Sequence, residues 1–400
     1  CDKYFGRKKW PYVSDNEGAR FYLFDVAALK LISLLKFKAD IIHCHDWHTG
    51  LIPYLKKKRF NRSKTLANTA TVFTIHNLTF QAGINWWEIP VKYRDKGKGS
   101  LPLFKDRKIN YTNFAKRGIL YADIINTVSE TYADEIIKKN FGQDLHRILV
   151  NRKHKLFGVV NGIDYNNYNP QTDPGLKKRY SVDTIHRKIV NKRHLQKVFK
   201  LPVDDRMPII GFTSRIAEQK GFDLLLDILS TVLLRDVQVI IMGDGDKNLI
   251  ERINKMKKKF PGKICQLPFY VNRKLESLVY AGGDFLLLPS RFEPCGTTQM
   301  IAFRYGCVPI VRSTGGLSDT VVNFDPIDYK KGNGFTFKNY NSQELLVAIT
   351  RALETYKYKN TWKDLMRRGM RVSFSWDLPA QRYLDLYKKA KKFKHEEEKS

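Results

Sequence analysis

Arg215 and Lys220 lie five residues apart in the string SRIAEQKG at 214–221, just ahead of an apolar pattern of helical period. A planar guanidinium fork and a flexible ammonium beside a helix N-terminus suit a diphosphate, above all one whose charge grows as it leaves. Gly315 and Gly316 open another crossing, where backbone N–H groups can approach the same phosphates. Glu293 sits in a loop dense in Pro, Cys and Gly, where a carboxylate can hold sugar hydroxyls. Each has a plainer reading: a surface charge pair on a basic protein, a turn, an isolated acid. The string HCHDWH at 43–48 resembles a metal cluster, but on a strand His43 and His45 share one face while Cys44 points the other way, and no second ligand group accompanies them. Packing and substrate hydrogen bonds are therefore expected there. His76 ends a similar apolar run, and its place in a row of polar strand ends makes it a candidate for chemistry.

These residues need elements to position them. Short apolar, β-branched runs alternate with amphipathic segments, the pattern of parallel α/β units. Strands are expected at 41–45, 71–75, 124–128 and 157–160 in the first half, and at 209–213, 237–242, 263–267, 285–288 and 308–311 in the second. Helical periodicity fills the gaps, as at 222–234 and 275–281. In open parallel sheets ligands bind beyond the carboxyl ends of the strands, which is where Asp46, His76, Asn161, Arg215, Lys220, Glu293 and the 315–316 glycines all fall. Two doubly wound sheets facing each other would turn those edges into a cleft. The polar stretch 183–205 carries no strand pattern and is the expected junction, dividing the chain into 1–190, 191–375 and a terminal helix with a charged, frayed tail at 376–400.

Composition sets the broad class. Four hundred residues, 42% of them hydrophobic, are enough for two or three ordinary cores. No apolar run approaches the roughly 18 residues that span a bilayer, so no membrane association is expected. Five cysteines without CxxC spacing argue against a disulfide scaffold and for a reducing, cytoplasmic compartment. The net charge of +31 raises attraction to phosphates and nucleic acid, yet the basic residues are scattered over many short runs, as solvated helix faces are. Nucleic acid is not the expected partner.

Six strings occur in order: HDWHTG at 45–50, TIHNLTFQAG at 74–83, VNGID at 160–164, SRIAEQKG at 214–221, PSRFEPCGTTQ at 289–299 and STGGLSD at 313–319. Together they resemble the bacterial glycogen synthase and plant starch synthase family, over about 11–388. The resemblance implies a GT-B fold: two Rossmann-like α/β domains around a cleft, with a C-terminal helix crossing back onto the first. It also implies a retaining glucosyltransferase that extends an α-1,4-glucan from a nucleotide-glucose donor, ADP-glucose being favoured over UDP-glucose, with no cofactor or metal.

By the same resemblance, Arg215 and Lys220 neutralise the donor diphosphate, and Gly315, Gly316 and Leu317 give it backbone contacts. Glu293 and Cys295 hold the donor glucose. His76 lies next to the anomeric centre, and Asp46 is implicated in catalysis. Tyr12 and Asn161 line the sugar site, while Thr298 and Gln299 approach the ribose and phosphate. The family's Lys-x-Gly-Gly-Leu loop has no counterpart here, so the chain is expected to be a fragment with its first strands missing. Two rivals stand beside this reading: another retaining GT-B transferase, and a non-catalytic glucan- or nucleic-acid-binding protein.

Overall fold

The computed structural model describes residues 16–268 and 273–399, and Tyr12 lies outside them. The chain divides into two compact units, 1–160 with 379–400, and 161–378.

The first unit is built on a parallel sheet of four strands in sequential order: β1 (Ile41–His45), β2 (Ala70–Ile75), β3 (Ile124–Thr127) and β4 (Leu156–Gly158). One face, with Cys44, Phe73, Ile75 and Ile125, packs against the helices Glu17–Leu34, Leu51–Lys58 and Phe114–Tyr121. The other face grades from apolar to polar toward the carboxyl ends: Ile41, His43, His45 on β1, Ala70, Val72, Thr74 on β2, Ile124 and Asn126 on β3. The last helix, Asp377–Lys399, matches that gradient. Ala390 and Phe393 cover Ala70, Val72 and Ile124, while Tyr387 reaches the polar end.

The tail is therefore not frayed, contrary to the sequence expectation. It stays helical to Lys399 because its apolar stripe is buried and its charges find partners. Glu397 bridges Lys57 and Lys155, and Lys391 bonds Asp40.

The second unit holds a six-stranded parallel sheet in the order β10-β9-β8-β5-β6-β7. Its strands are β5 (Ile209–Thr213), β6 (Gln238–Met242), β7 (Ile264–Leu267), β8 (Phe285–Leu288), β9 (Val308–Arg312) and β10 (Phe335–Phe337). The chain leaves β5 toward β6 and β7, then returns to lay β8 on its other side. That reversal between β5 and β8 is the topological switch point, where loops diverge and open a crevice. Strands buried on both faces, such as Ile209, Ile210 and Phe212 on β5, explain why their sequences read as unbroken apolar runs.

Nine expected strands are present with ends shifted by a residue or so, and β10 is additional. The domain division differs from the expected one. Residues 183–205 are not the junction: they contain the helix Lys188–Val198, whose Leu195, with Phe199 and Leu201, joins Ile209, Ile240 and Met242 in one core. The helix is polar because it is anchored by buried polar bonds. Lys188 Nζ donates to the carbonyls of Tyr280 and Ala281 at 2.7 and 2.9 Å, and Lys192 pairs with Asp284 at 2.9 Å. The division falls instead at 160/161, and again at 378/379. Among the described helices none is long and apolar enough to cross a membrane.

Candidate active site

The switch point of the six-stranded sheet brings together Lys220 and Glu293. Lys220 ends a short turn, Glu218–Lys220, that leads into the helix Phe222–Leu233. The turn needs Gly221: its φ is +78°, and a Cβ there would lie 2.2 Å from the carbonyl of Pro289 at the end of β8. That close approach delivers Lys220 Nζ to Glu293 Oε2 at 2.6 Å. Ser290 Oγ donates to the same carboxylate oxygen at 3.1 Å, and Glu293 is buried. Arg215, at the start of the same β5 loop, is exposed; its carbonyl accepts from Ser214 Oγ at 3.1 Å, and its guanidinium has no hydrogen bond or ion pair among the described residues. The following helix has no side-chain cap, so its first N–H groups add positive potential at this edge.

Glu293 is held from behind by a second crossing. A Cβ on Gly315 would lie 1.9 Å from the Glu293 carbonyl, and one on Gly316 would lie 2.2 Å from that of Cys295. The N–H of Gly316 donates at 3.2 Å to the carbonyls of Glu293 and Pro294, and that of Leu317 at 3.1 Å to Thr314. The Gly316 N–H thus ties the glycine turn to the 293–295 loop, while that of Leu317 closes the turn on itself, structural duties the sequence did not suggest. Gln299 is likewise turned inward: its Nε2 donates to the carbonyls of Cys295 at 3.2 Å and Gly296 at 2.6 Å, and to Thr320 Oγ1 at 3.1 Å. Thr298 beside it stays half-buried at the start of the helix Thr298–Arg304. Burial pushes the Cys295 thiol up to about 12, with the Asn161 backbone N–H pulling the other way. Cys295 is therefore a neutral polar wall beside Asn161, not a nucleophile.

Sequence reasoning did not single out Ser290 or Arg312. The Arg312 guanidinium donates through Nη1 to the carbonyls of Ser290 at 3.1 Å and Arg291 at 2.7 Å, pinning the strand end that carries Glu293. Its partners are backbone atoms about twenty residues away, which no motif records.

The first unit has its own polar edge. Asp46 follows β1 with φ +55°, a conformation that costs a non-glycine residue energy and persists only when held. Its Oδ1 accepts from the backbone N–H of His76 at 2.7 Å and of Asn77 at 3.4 Å. Burial raises the Asp46 carboxyl, opposed by His76 and by those N–H groups. His76 Nε2 lies 3.0 Å from His45 Nδ1. His43 is engaged on both nitrogens, by Tyr387 Oη at 2.9 Å and Thr74 Oγ1 at 2.6 Å. Burial, then the His45 and His76 charges, push His43 down to about 3. His45 is lowered as well, mainly by burial. Both imidazoles are neutral at physiological pH, and Tyr387, 344 residues away in sequence, was invisible to motif reading.

Residues 1–151 match the family described as starch synthase catalytic domain, and residues 195–368 match glycosyl transferases group 1. A glycogen synthase from Desulforamulus reducens is 38% identical over 389 residues, spanning 97% of this chain and 80% of that protein. One from Thermosipho melanesiensis is 42% identical over 372 residues, spanning 92% and 76%. Among solved structures, the catalytic domain of starch synthase IV from Arabidopsis thaliana, bound to ADP and acarbose, superposes with a TM-score of 0.85 at 31% identity, covering 98% of this chain and 81% of that one. Sucrose-phosphate synthase from Thermosynechococcus elongatus, at 17% identity and a TM-score of 0.60, shares the fold. The chain belongs to the glycogen synthase family and is a GT-B glycosyltransferase that moves glucose from a nucleotide-sugar donor onto a glucan.

Proposed function

We propose that the donor is ADP-glucose and that glucose passes to the non-reducing 4-hydroxyl of an α-1,4-glucan with retention of configuration. The Lys220–Glu293 pair at the switch point carries the reading. An ammonium has three donors. One directed at Glu293 leaves two for phosphate oxygens, so one residue can register the sugar-holding carboxylate against the leaving group. Arg215, exposed and uncommitted among the described residues, adds a fork for the same diphosphate.

Retention follows if the leaving phosphate itself accepts the proton of the incoming hydroxyl on the face it departs from. Arg215, Lys220 and the uncapped helix N-terminus at Phe222 then stabilise charge that grows only as the bond breaks. In this reading Glu293 and Cys295 hold the sugar, and Asn161 lines its site. His76 faces the anomeric centre, and Asp46 fixes the His76 backbone through the 2.7 Å bond. Thr298, Gln299, Gly315, Gly316 and Leu317 shape the phosphate and ribose side, Gln299 and Gly316 by bracing the 293–296 loop. ADP is favoured over UDP because the Arabidopsis starch synthase, which spans nearly this whole chain, was solved with ADP. A reducing, cytoplasmic setting fits the free Cys44, Cys265, Cys295 and Cys307.

The test is nucleoside-diphosphate release from ADP-glucose and UDP-glucose, with and without a maltooligosaccharide primer. Primer-dependent release from ADP-glucose, giving α-linked product, is expected. A preference for UDP-glucose, or a β-linked product, overturns the donor or the stereochemistry respectively.

A further inference from the structure

A one-way chain of hydrogen bonds runs from the terminal helix Asp377–Lys399 to the edge that carries His76. Thr74 Oγ1 donates to Asn126 Oδ1, which has no proton to give. A hydroxyl has one proton, so Thr74 Oγ1 must accept from His43 Nε2, 2.6 Å away. His43 is thereby the Nε2–H tautomer. Its Nδ1 is left as an acceptor, and the Tyr387 hydroxyl donates to it at 2.9 Å. Asn126 in turn offers Nδ2 to the Tyr383 hydroxyl at 3.4 Å, so two tyrosines of one helix bracket the chain. The His43 ring then backs the His45 ring, with centroids 4.2 Å apart and planes 32° apart. His45 Nδ1 meets His76 Nε2 at 3.0 Å.

We propose that Tyr387 and His43 are positioning residues for glucosyl transfer: the chain Tyr387–His43–Thr74–Asn126 fixes the ring and tautomer of His43, His43 backs His45, and His45 orients His76. This rests on the reading above that His76 acts at the transferring centre. Packing alone does not call for these residues. In the same row of the sheet face as His43, Val72 and Ile124, and one row down Ile41 and Ala70, seat the apolar Ala390 and Phe393, and an aliphatic residue at 43 would continue that surface. The half-buried imidazole of His43 instead needs partners for two nitrogens, and once both are bound its ring can neither flip nor tilt freely. Seating of the terminal helix and the orientation of His76 are thus coupled through one hydroxyl.

The experiment uses the full chain with Tyr387→Phe, Thr74→Val and Thr74→Ser, reading kcat and donor KM from nucleoside-diphosphate release. Imidazole 15N spectra report the His43 tautomer. Tyr387→Phe and Thr74→Val are expected to lower kcat about fivefold to tenfold, the weight of one hydrogen bond, with donor KM little changed. Thr74→Ser retains the hydroxyl and should keep the parent kcat. The spectra should show Nε2–H at His43 in the parent and a mixture of tautomers in Tyr387→Phe. Parent-like kcat in both Tyr387→Phe and Thr74→Val, or Nδ1–H at His43 in the parent, overturns the inference. His76→Ala separates the two layers. If it is inactive while Tyr387→Phe and Thr74→Val turn over normally, only the positioning claim fails. If His76→Ala is active, the reading of the site fails and there is nothing to position.

Discussion

Lys220 Nζ and Glu293 Oε2 stand 2.6 Å apart although 73 residues separate them, because β5 and β8 are neighbours across the switch point. Their side chains are 20% and 10% exposed, so neither charge is fully screened by water. Lys220→Ala removes the cation proposed for the phosphate and also strands a buried carboxylate with Ser290 as its remaining side-chain donor among the described residues. Turnover should fall about 100-fold to 1,000-fold, and stability by about 1–3 kcal/mol. Adding Glu293→Gln removes the stranded charge, so the double variant should regain melting temperature but not turnover. Recovery of turnover in the double variant would show that Lys220 matters only as the partner of Glu293.

Arg215 makes the opposite case. With an exposed side chain whose guanidinium has no partner among the described residues, it contributes little to the fold. Arg215→Ala should leave unfolding free energy within about 0.5 kcal/mol of the parent. Turnover should still drop by about 100-fold if the guanidinium stabilises departing charge. Arg215→Lys should restore part of it, since a point charge replaces the charge but not the fork. Parallel thermal melts and diphosphate-release assays decide this, and an Arg215→Ala protein with normal kcat removes the residue from the chemistry.

Gly315 has φ +45°, and an added Cβ would meet the Glu293 carbonyl at 1.9 Å. That neighbour is backbone, so no rotamer change relieves the clash. Gly315→Ala should destabilise by about 3 kcal/mol and displace the 293–295 loop, weakening donor binding together with turnover. A urea midpoint equal to that of the parent would mean the loop yields freely, and that the glycine is not what places Glu293.

Much of the second unit was legible because its strands are buried on both faces and its loops lie at one edge. Apolar runs located β5, β6, β8 and β9, and the polar residues just after them form the candidate site. What escaped had no local signature. β10 is three residues, Phe335–Phe337, and joins the sheet only through pairing with β9. Residues 183–205 read as the domain junction since they are polar and carry no strand pattern, yet Lys188, Asn191 and Lys192 are buried and bonded. The charged tail read as frayed, since neither the sheet face it covers nor Lys57 and Lys155 are visible from its own sequence. Gln299 and Leu317 were identified as site positions, whereas their direct partners are protein groups.

Two histidines of the first unit, His43 and His48, contribute to the loss of stability toward acid. His43 is held at about 3 and His48 at about 4, against 6.5 in an open chain, each mainly by burial. As pH falls below about 6.5 the unfolded chain binds protons that the folded protein refuses, so stability declines, by at most about 1.4 kcal/mol per pH unit for each group. Asp25 and Asp46 act with the opposite sign. Their folded carboxyls are raised by burial, so the folded state holds protons that the unfolded chain has already released, and lowering the pH toward 3.8 favours folding through them. The total is thus a sum of opposing slopes, and a single curve does not isolate His43. The difference between parent and His43→Gln does, because glutamine does not titrate and every other group is common to both. Urea midpoints between about pH 7 and about pH 5 should fall more steeply for the parent than for His43→Gln. Parallel curves would mean that His43 takes up a proton in the folded state as readily as in the unfolded chain, which its two engaged nitrogens forbid.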